Sequence, residues 1–164
     1  MGNIYVVLLA ALIPMLVGAI YYGPIFGKAW MNANNFVEED LKKGNLFLIF
    51  GLSYVLSVFL GLGLSGLTNH QSGVLQLMAM HPDFHTPGTE VAELYKAVMD
   101  KFGTTHRNFG HGAVHGIINS VLIVLPLISI NALFERRGWK YILIHFGYWL
   151  ITLTIMGGFI CQWF

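Results

Sequence analysis

Charged side chains are scarce in this sequence of 164 residues. Asp, Glu, Lys and Arg together make up 10% of the chain, whereas an ordinary soluble domain contains about 25%. Hydrophobic residues make up 55%, which leaves little polar surface for a water-soluble fold. The net charge of +1 and the lack of any basic tract give no reason to expect a nucleic-acid partner. The composition therefore predicts an integral membrane protein.

Cysteine is represented only by Cys161, which excludes a disulfide bond within the chain and a zinc site built from cysteine pairs. The sequence also lacks a glycine-rich phosphate loop and a GxSxG nucleophile motif. Whether the protein is an enzyme therefore stays open, and the residues favour a non-enzymatic protein.

Four apolar runs are each long enough to cross a bilayer, which requires about 20 residues in a helix. None has Asp, Glu, Lys or Arg in its interior. Because backbone groups in lipid must bond within their own segment, the runs are expected to be helices. We predict an all-α integral membrane protein, one domain over residues 1–164 with four transmembrane helices in a bundle, at about 4–22, 45–67, 109–134 and 141–163.

The longest connection, about residues 68–108, is expected to be partly helical. Apolar residues within 89–102 recur at helical spacing, with Thr89 placed to cap this helix and Gly103 to end it. The segment 72–80 is apolar enough to lie along the membrane surface. This loop is thus predicted to add short helices at one end of the bundle.

Basic residues are unevenly divided between the two sides of the predicted bundle. The positive-inside rule places the loops richer in Lys and Arg in the cytoplasm. We therefore predict that both termini and the long loop are extracytoplasmic. The first and third loops hold Lys28, Lys42, Lys43, Arg136, Arg137 and Lys140, and the long loop holds Lys96, Lys101 and Arg107.

Small residues recur every four positions in the second span, at Ser53, Ser57, Gly61 and Ser65. Helices in lipid associate by close backbone approach along such rows. The row predicts tight packing, and Gly112 and Gly116 of the third span are its expected partners. We also expect a homo-oligomer. Serines facing a path between subunits are the alternative, typical of a channel or carrier.

The third span begins with two histidines on one helix face, His111 and His115, and Asn119 continues the row. His115 lies about two turns inside the span, where an ionisable side chain indicates a functional site. A neutral imidazole hydrogen-bonded to its neighbours is the alternative. We predict a ligand-binding site formed by His111, His115, Asn119 and Ser57.

His81 and His85 form a second pair spaced by four residues, in the loop segment HPDFH. Imidazole is the commonest transition-metal ligand, and a zinc site needs three or four ligands around one point. If the long loop folds onto span three, His81, His85, His111 and His115 would hold zinc or another transition metal. Helix capping and contact with lipid headgroups are the alternative roles.

A polar group is predicted at the opposite membrane face. Asn131 and Glu135 are four residues apart at the end of span three, and His145 and Tyr148 begin span four after a tight turn. The hairpin should bring these four side chains into a structural polar cluster.

Three segments resemble the domain of unknown function 1761 family, whose members are small bacterial four-span membrane proteins. They are YYGPIFGKAW after the first span, HGAVHG at the start of the third, and NALFERRGWKYILIHFGYW between the third and fourth. The resemblance implies four spans and a bacterial membrane, and it implies no activity, cofactor or substrate. The positions it matches are Tyr22, Pro24, Lys28, Trp30, His111, Asn131, Glu135, Arg136 and Tyr148.

The favoured function is non-enzymatic binding of a lipid, a small apolar ligand or a protein partner in the bacterial cytoplasmic (inner) membrane. A histidine-based metal site, for binding alone or in a metal-dependent membrane enzyme, is the first alternative. An oligomeric channel or carrier is the second. The expected partners are membrane lipid, further copies of this chain and a protein partner, and no nucleic acid is expected.

Overall fold

A computed structural model describes residues 3–164, apart from the side chain of Asp40. Within this part of the chain the regular structure is helical and contains no β-strand. The α-helices are α1 Ile4–Ala10, α2 Ile13–Ile20, α3 Gly27–Asn34, α4 Glu38–Leu41, α5 Leu46–Thr68, α6 His70–Met78, α7 Glu90–Phe102, α8 Phe109–Asn119, α9 Leu125–Phe134 and α10 Trp139–Trp163.

Four helical segments are long and apolar enough to span a membrane. They are span 1 (Ile4–Ile25), span 2 (Leu46–Thr68), span 3 (Phe109–Phe134) and span 4 (Trp139–Trp163). The predicted fold class, an all-α membrane bundle with four transmembrane helices, is confirmed. The observed ends lie within a few residues of the predicted ones.

Two of the spans contain a short π-helical turn next to a proline. The first covers Tyr21–Ile25 and includes Pro24, and the second covers Ser120–Val124, just before Pro126. Proline has no N–H and its ring collides with the preceding turn, so a wider turn accommodates it. Because of the first π turn, span 1 continues to Ile25, beyond the end predicted at residue 22.

The closest helix pair is α8 with α10. A Cβ atom at Gly112 would collide with the carbonyl oxygen of Gly157, and one at Gly116 would collide with that of Leu153. The two backbones are therefore in direct contact, as small residues permit in lipid. The expectation that these glycines pack against span 2 is wrong: their partner is span 4, where Gly157 and Gly158 supply the matching small residues.

The small-residue row of span 2 packs inside the protomer. Ser57, Gly61 and Ser65 are buried, and a Cβ atom at Gly61 would lie 3.0 Å from Val7 of span 1 and 3.1 Å from Met156 of span 4. This burial within one chain argues against a path between subunits lined by the span-2 serines.

The two ends of the bundle differ in character. The end of span 2, the start of span 3 and the end of span 4 lie at one end, here called the histidine end, together with α6 and α7. Asn3 N–H donates to the carbonyl oxygen of Phe164 at 3.4 Å, so the described N-terminal segment lies there too. The end of span 1 and the start of span 4 form the opposite end, here called the tyrosine end.

The loop helix α7 covers the segment expected to be helical. Thr89 occupies the N-cap position and Gly103 follows the last turn. The Thr89 hydroxyl makes no capping bond to the helix; it donates instead to the carbonyl oxygens of Asp83, at 2.8 Å, and Thr86, at 2.9 Å. The side chain thus fastens the preceding turn to the start of α7.

Candidate metal centre

Three histidines from two helices converge at the histidine end. The Nε2 atoms of His70 and His111 are 2.9 Å apart, and those of His111 and His115 are 3.1 Å apart. One ligand atom from each of the three rings lies within 4.8 Å of the others. We call this group the histidine triad.

The residues just before α6 and α8 determine where the three histidines lie. Asn69 has an extended backbone, φ −107° and ψ 109°, so span 2 ends and His70 begins α6 directly beside the bundle. The Asn108 side chain accepts a 2.9 Å bond from His111 N–H, which caps α8. His111 and His115 then follow on one face, one turn apart.

A fourth histidine borders the triad. The His106 ring stacks on that of His111, with centroids 4.9 Å apart and planes inclined by 21°. His106 is not among the three residues whose ligand atoms are mutually close. Its backbone is left-handed, φ 60°, which is uncommon for a residue other than glycine, and its carbonyl oxygen accepts from the Cys161 thiol at 3.4 Å.

The long loop is tied down next to the triad by Gln71. Its amide nitrogen donates to the carbonyl oxygens of Phe102, at 2.7 Å, and Thr105, at 2.9 Å. These bonds hold the end of α7 against α6. The loop that carries His106 is therefore anchored one residue away from His70.

Direct hydrogen bonding does not satisfy the triad. An imidazole nitrogen offers either one hydrogen or one lone pair, yet Nε2 of His111 faces two other ring nitrogens. A metal ion would accept a lone pair from each ring. With Zn–N bonds of about 2.0–2.1 Å, tetrahedral ligand nitrogens lie roughly 3.3–3.4 Å apart, so side-chain shifts of a few tenths of an ångström would suit the two short contacts.

Asn69 adds spare hydrogen-bonding capacity beside the triad. Its side chain is 3% exposed, and neither its amide nitrogen nor its amide oxygen has a partner among residues 3–164. Buried amides in native proteins are generally hydrogen-bonded. Asn69, which precedes His70 in sequence, thus has a buried amide without a protein partner among residues 3–164.

The other predicted members of the ligand site lie apart from the triad rings. Asn119 donates to the backbone carbonyl of His115 at 2.8 Å and so contacts the helix, not the imidazole. Ser57 is buried in span 2 and lines a different cavity. Of the predicted set, the structure brings together only His111 and His115.

His81 and His85 are not part of the triad. The structure thus separates the predicted set of four histidines into two pairs. Residues 79–89 form turns, so four-residue spacing does not put the two rings on one helix face. His81 Nδ1 accepts from the N–H of Asp83 at 3.2 Å, and the ring of His85 contacts that of Phe84 with centroids 4.9 Å apart.

His70 and His106 are absent from the site predicted by sequence patterns. His70 lies at the start of the long loop and His106 near its end. The four-span topology could have predicted that these two histidines are close together. The end of span 2 and the start of span 3 must emerge on the same side, so histidines flanking the loop are closer in space than those in its middle.

The predicted polar cluster is also divided. His145 and Tyr148 meet Tyr22 of span 1 instead: the Tyr22 hydroxyl is 3.1 Å from His145 Nδ1, and the Tyr22 and Tyr148 rings are 4.9 Å apart. Asn131 and Glu135 are exposed, and within residues 3–164 no hydrogen bond joins either of them to His145. Extension of span 1 through the π turn brings Tyr22 beside span 4, and this explains the difference.

The Glu135 carboxylate lies 3.7 Å from Nε of the half-buried Arg137 at the turn. The Tyr148 hydroxyl donates to the carbonyl oxygen of Pro14 at 2.9 Å. Tyr148 therefore ties span 4 to span 1.

A larger cavity lies between spans 1, 2 and 4, away from the triad. Its volume is about 780 Å³ and its lining is mainly apolar. Gly18 and Ala19 form part of one wall and Leu56 part of another. Polar or aromatic side chains in its lining are Tyr22, Trp30, Phe50, Ser53, Ser57, Tyr148 and Trp149.

The fold and these sites define a multi-pass membrane protein with a histidine cluster at one end of its helical bundle. The chain belongs to the family described as Protein of unknown function (DUF1761), whose model matches residues 5–161. The resemblance seen in the sequence is thereby confirmed. Searches of curated proteins and of solved structures gave no match.

Proposed function

We propose that this protein binds a transition-metal ion, with Zn²⁺ as the best-suited candidate, through His70, His111 and His115. The observation that carries the proposal is the mutual approach of three ligand atoms to within 4.8 Å. Neutral imidazole suits Zn²⁺, Cu²⁺ and Ni²⁺. Three protein ligands leave one position of a tetrahedral site for water or another ligand, the arrangement typical of catalytic zinc.

Metal content of the full chain, purified without a polyhistidine tag, tests the proposal. We expect close to one equivalent of bound Zn²⁺ per chain after loading and desalting, and a large loss in the His115→Ala variant. Equal, substoichiometric metal in both proteins would contradict it.

A second candidate function is lipid binding in the cavity between spans 1, 2 and 4. Its volume of about 780 Å³ falls within the usual range for ligand sites, about 300–1,000 Å³. The lining is apolar except for hydroxyls and ring nitrogens of the residues named above. This candidate fits an amphiphile with an alkyl chain and a polar end, in keeping with the lipid binding predicted from sequence.

Lipid retained through detergent purification can be measured by native mass spectrometry. Ser57→Leu would fill part of the cavity and should reduce the retained lipid. Gly63→Leu is the matched control, because a Cβ atom at Gly63 meets nothing within 4 Å. Equal retention by both variants would contradict the candidate.

We further propose that the protein resides in the bacterial cytoplasmic membrane with its termini and long loop outside. The six basic residues of the first and third loops, against three in the long loop, support this orientation. Under this proposal the histidine triad faces the extracytoplasmic side. We also propose a homo-oligomer, in which some of the apolar side chains that are exposed on the single chain, such as Phe47 at 94% and Phe134 at 87%, contact a second copy and the others contact lipid.

A further inference from the structure

A second, smaller pocket adjoins the triad outside the membrane spans. Its volume is about 430 Å³, within the range typical of small-molecule sites. It lies between α6 and α7, where the loop helices pack together. Its lining includes His70, Val74, Val98, Met99, Phe102 and His106.

The pocket and the triad share His70. Its Nε2 atom is 2.9 Å from that of His111, and the residue also lines the pocket. His106 likewise lines the pocket and stacks on His111. A molecule bound between α6 and α7 would therefore lie directly beside a metal held by the triad.

The shape and lining of the pocket limit what it can bind. Four of its side chains, on α6 and α7, are apolar: Val74, Val98, Met99 and Phe102. The amide nitrogen of Gln71 is already bonded to two backbone carbonyls, and these bonds fix the wall rather than a ligand. The pocket thus suits a short apolar group.

The charge of a bound metal ion determines which polar group of a ligand would lie next to the triad. The triad contributes three neutral imidazoles and contains no carboxylate, so a bound divalent ion keeps its full charge. A bound metal ion is then the largest local charge and attracts an anion. Lys101 and Arg107 stand next in sequence to the lining residues Phe102 and His106, and Asp100 offsets part of their positive charge.

We propose that the triad and this pocket together bind a short-chain monocarboxylate. Its oxygen ligates the metal at the position left open by three histidines, and its alkyl tail lies against Val98, Met99 and Phe102. This inference rests on the proposed metal-binding function.

The probe is Co²⁺ in place of Zn²⁺, because its visible absorption reports the ligands around the metal. The full-length Co²⁺-loaded protein is titrated with acetate, hexanoate and hexylamine. We expect hexanoate to change the spectrum with at least roughly tenfold higher affinity than acetate, because each further buried methylene adds to binding. We expect hexylamine, protonated at neutral pH, to bind far more weakly than hexanoate.

Variants of α7 test the location of the tail. Val98→Trp should fill the pocket and remove the preference for hexanoate over acetate while Co²⁺ binding persists. Leu94→Trp is the matched control, because Leu94 is 55% exposed and does not line the pocket; it should keep the preference. Met99→Trp serves as the second filling variant if Val98→Trp does not fold.

The outcomes separate this inference from the metal proposal. Failure of the wild-type protein to bind Co²⁺ or Zn²⁺ overturns both. Metal binding without a spectral change on adding hexanoate overturns only the proposal that a carboxylate ligates the metal. Equal affinity for acetate and hexanoate, or a preference that survives both filling variants, overturns the proposal that the alkyl tail lies in this pocket. Binding of hexylamine as tight as that of hexanoate overturns the anionic class.

Discussion

His70 and His111 are 41 positions apart in sequence, yet their Nε2 atoms lie 2.9 Å apart. The first residue begins a loop helix at the end of span 2 and the second lies in the first turn of span 3. This contact holds the start of the long loop against the start of span 3. The geometry of the histidine triad therefore depends on how the long loop folds.

The identity of the ligands can be tested by removing histidines singly. His70→Ala should lower Zn²⁺ affinity by at least roughly tenfold, because it removes one of three ligands. His81→Ala should leave affinity unchanged, since His81 Nδ1 bonds to the N–H of Asp83 instead. Competition with a chromophoric chelator measures both. A loss of similar size in the two variants would assign the metal to a different set.

Metal binding should weaken in mild acid. A protonated imidazole has no lone pair for a metal, so protons compete with the metal for the histidine nitrogens. We expect Zn²⁺ affinity to fall as the pH is lowered from about 8 to about 5. The double variant His81→Ala/His85→Ala should show the same profile. Affinity independent of pH over this interval would argue against histidine ligands.

The contact between α8 and α10 should be intolerant of added volume. Gly116→Val places carbon atoms where the Leu153 carbonyl stands, so it should destabilise the fold by about 1–3 kcal/mol or more. Gly63→Val, at a position with nothing within 4 Å, is the control. Thermal unfolding in detergent should show a lower Tm for the first variant alone, and indistinguishable Tm values would contradict the packing described.

Orientation can be tested with single cysteines. In a Cys161→Ser background, Thr86→Cys should react with a membrane-impermeant maleimide in intact spheroplasts. Gly138→Cys, at the turn before span 4, should react only after the membrane is permeabilised. Both positions are exposed, so accessibility depends on the side of the membrane. Labelling of the Gly138 position from outside would reverse the proposed orientation.

At the tyrosine end, the bond between Tyr22 and His145 should contribute to stability. Tyr22→Phe removes the partner of His145 Nδ1, while Nε2 of the same ring is buried without a partner among the described residues. A lost bond to a partly buried group costs about 1–3 kcal/mol. Tyr5→Phe, on a ring that is 68% exposed, should be neutral. Equal unfolding temperatures for the two variants would exclude a structural role for the bond.

The histidines show what local patterns can and cannot predict. His111 and His115 are recognisable because helical spacing alone puts them on one face. His81 and His85 have the same spacing, but they occupy turns, and the periodicity has no meaning there. His70 has no local partner at all, so only the path of the loop could reveal its role.

The sequence by itself determined that the chain crosses a membrane four times as helices. Apolar length and the need to satisfy backbone hydrogen bonds in lipid depend on each segment alone. The tertiary structure decided which side chains meet. Gly116 faces Leu153 rather than span 2, Tyr22 reaches His145, and His70 completes the triad. Each of these contacts depends on how the helices are rotated against one another or on loop anchoring by Gln71, and these features arise only when the whole chain has packed.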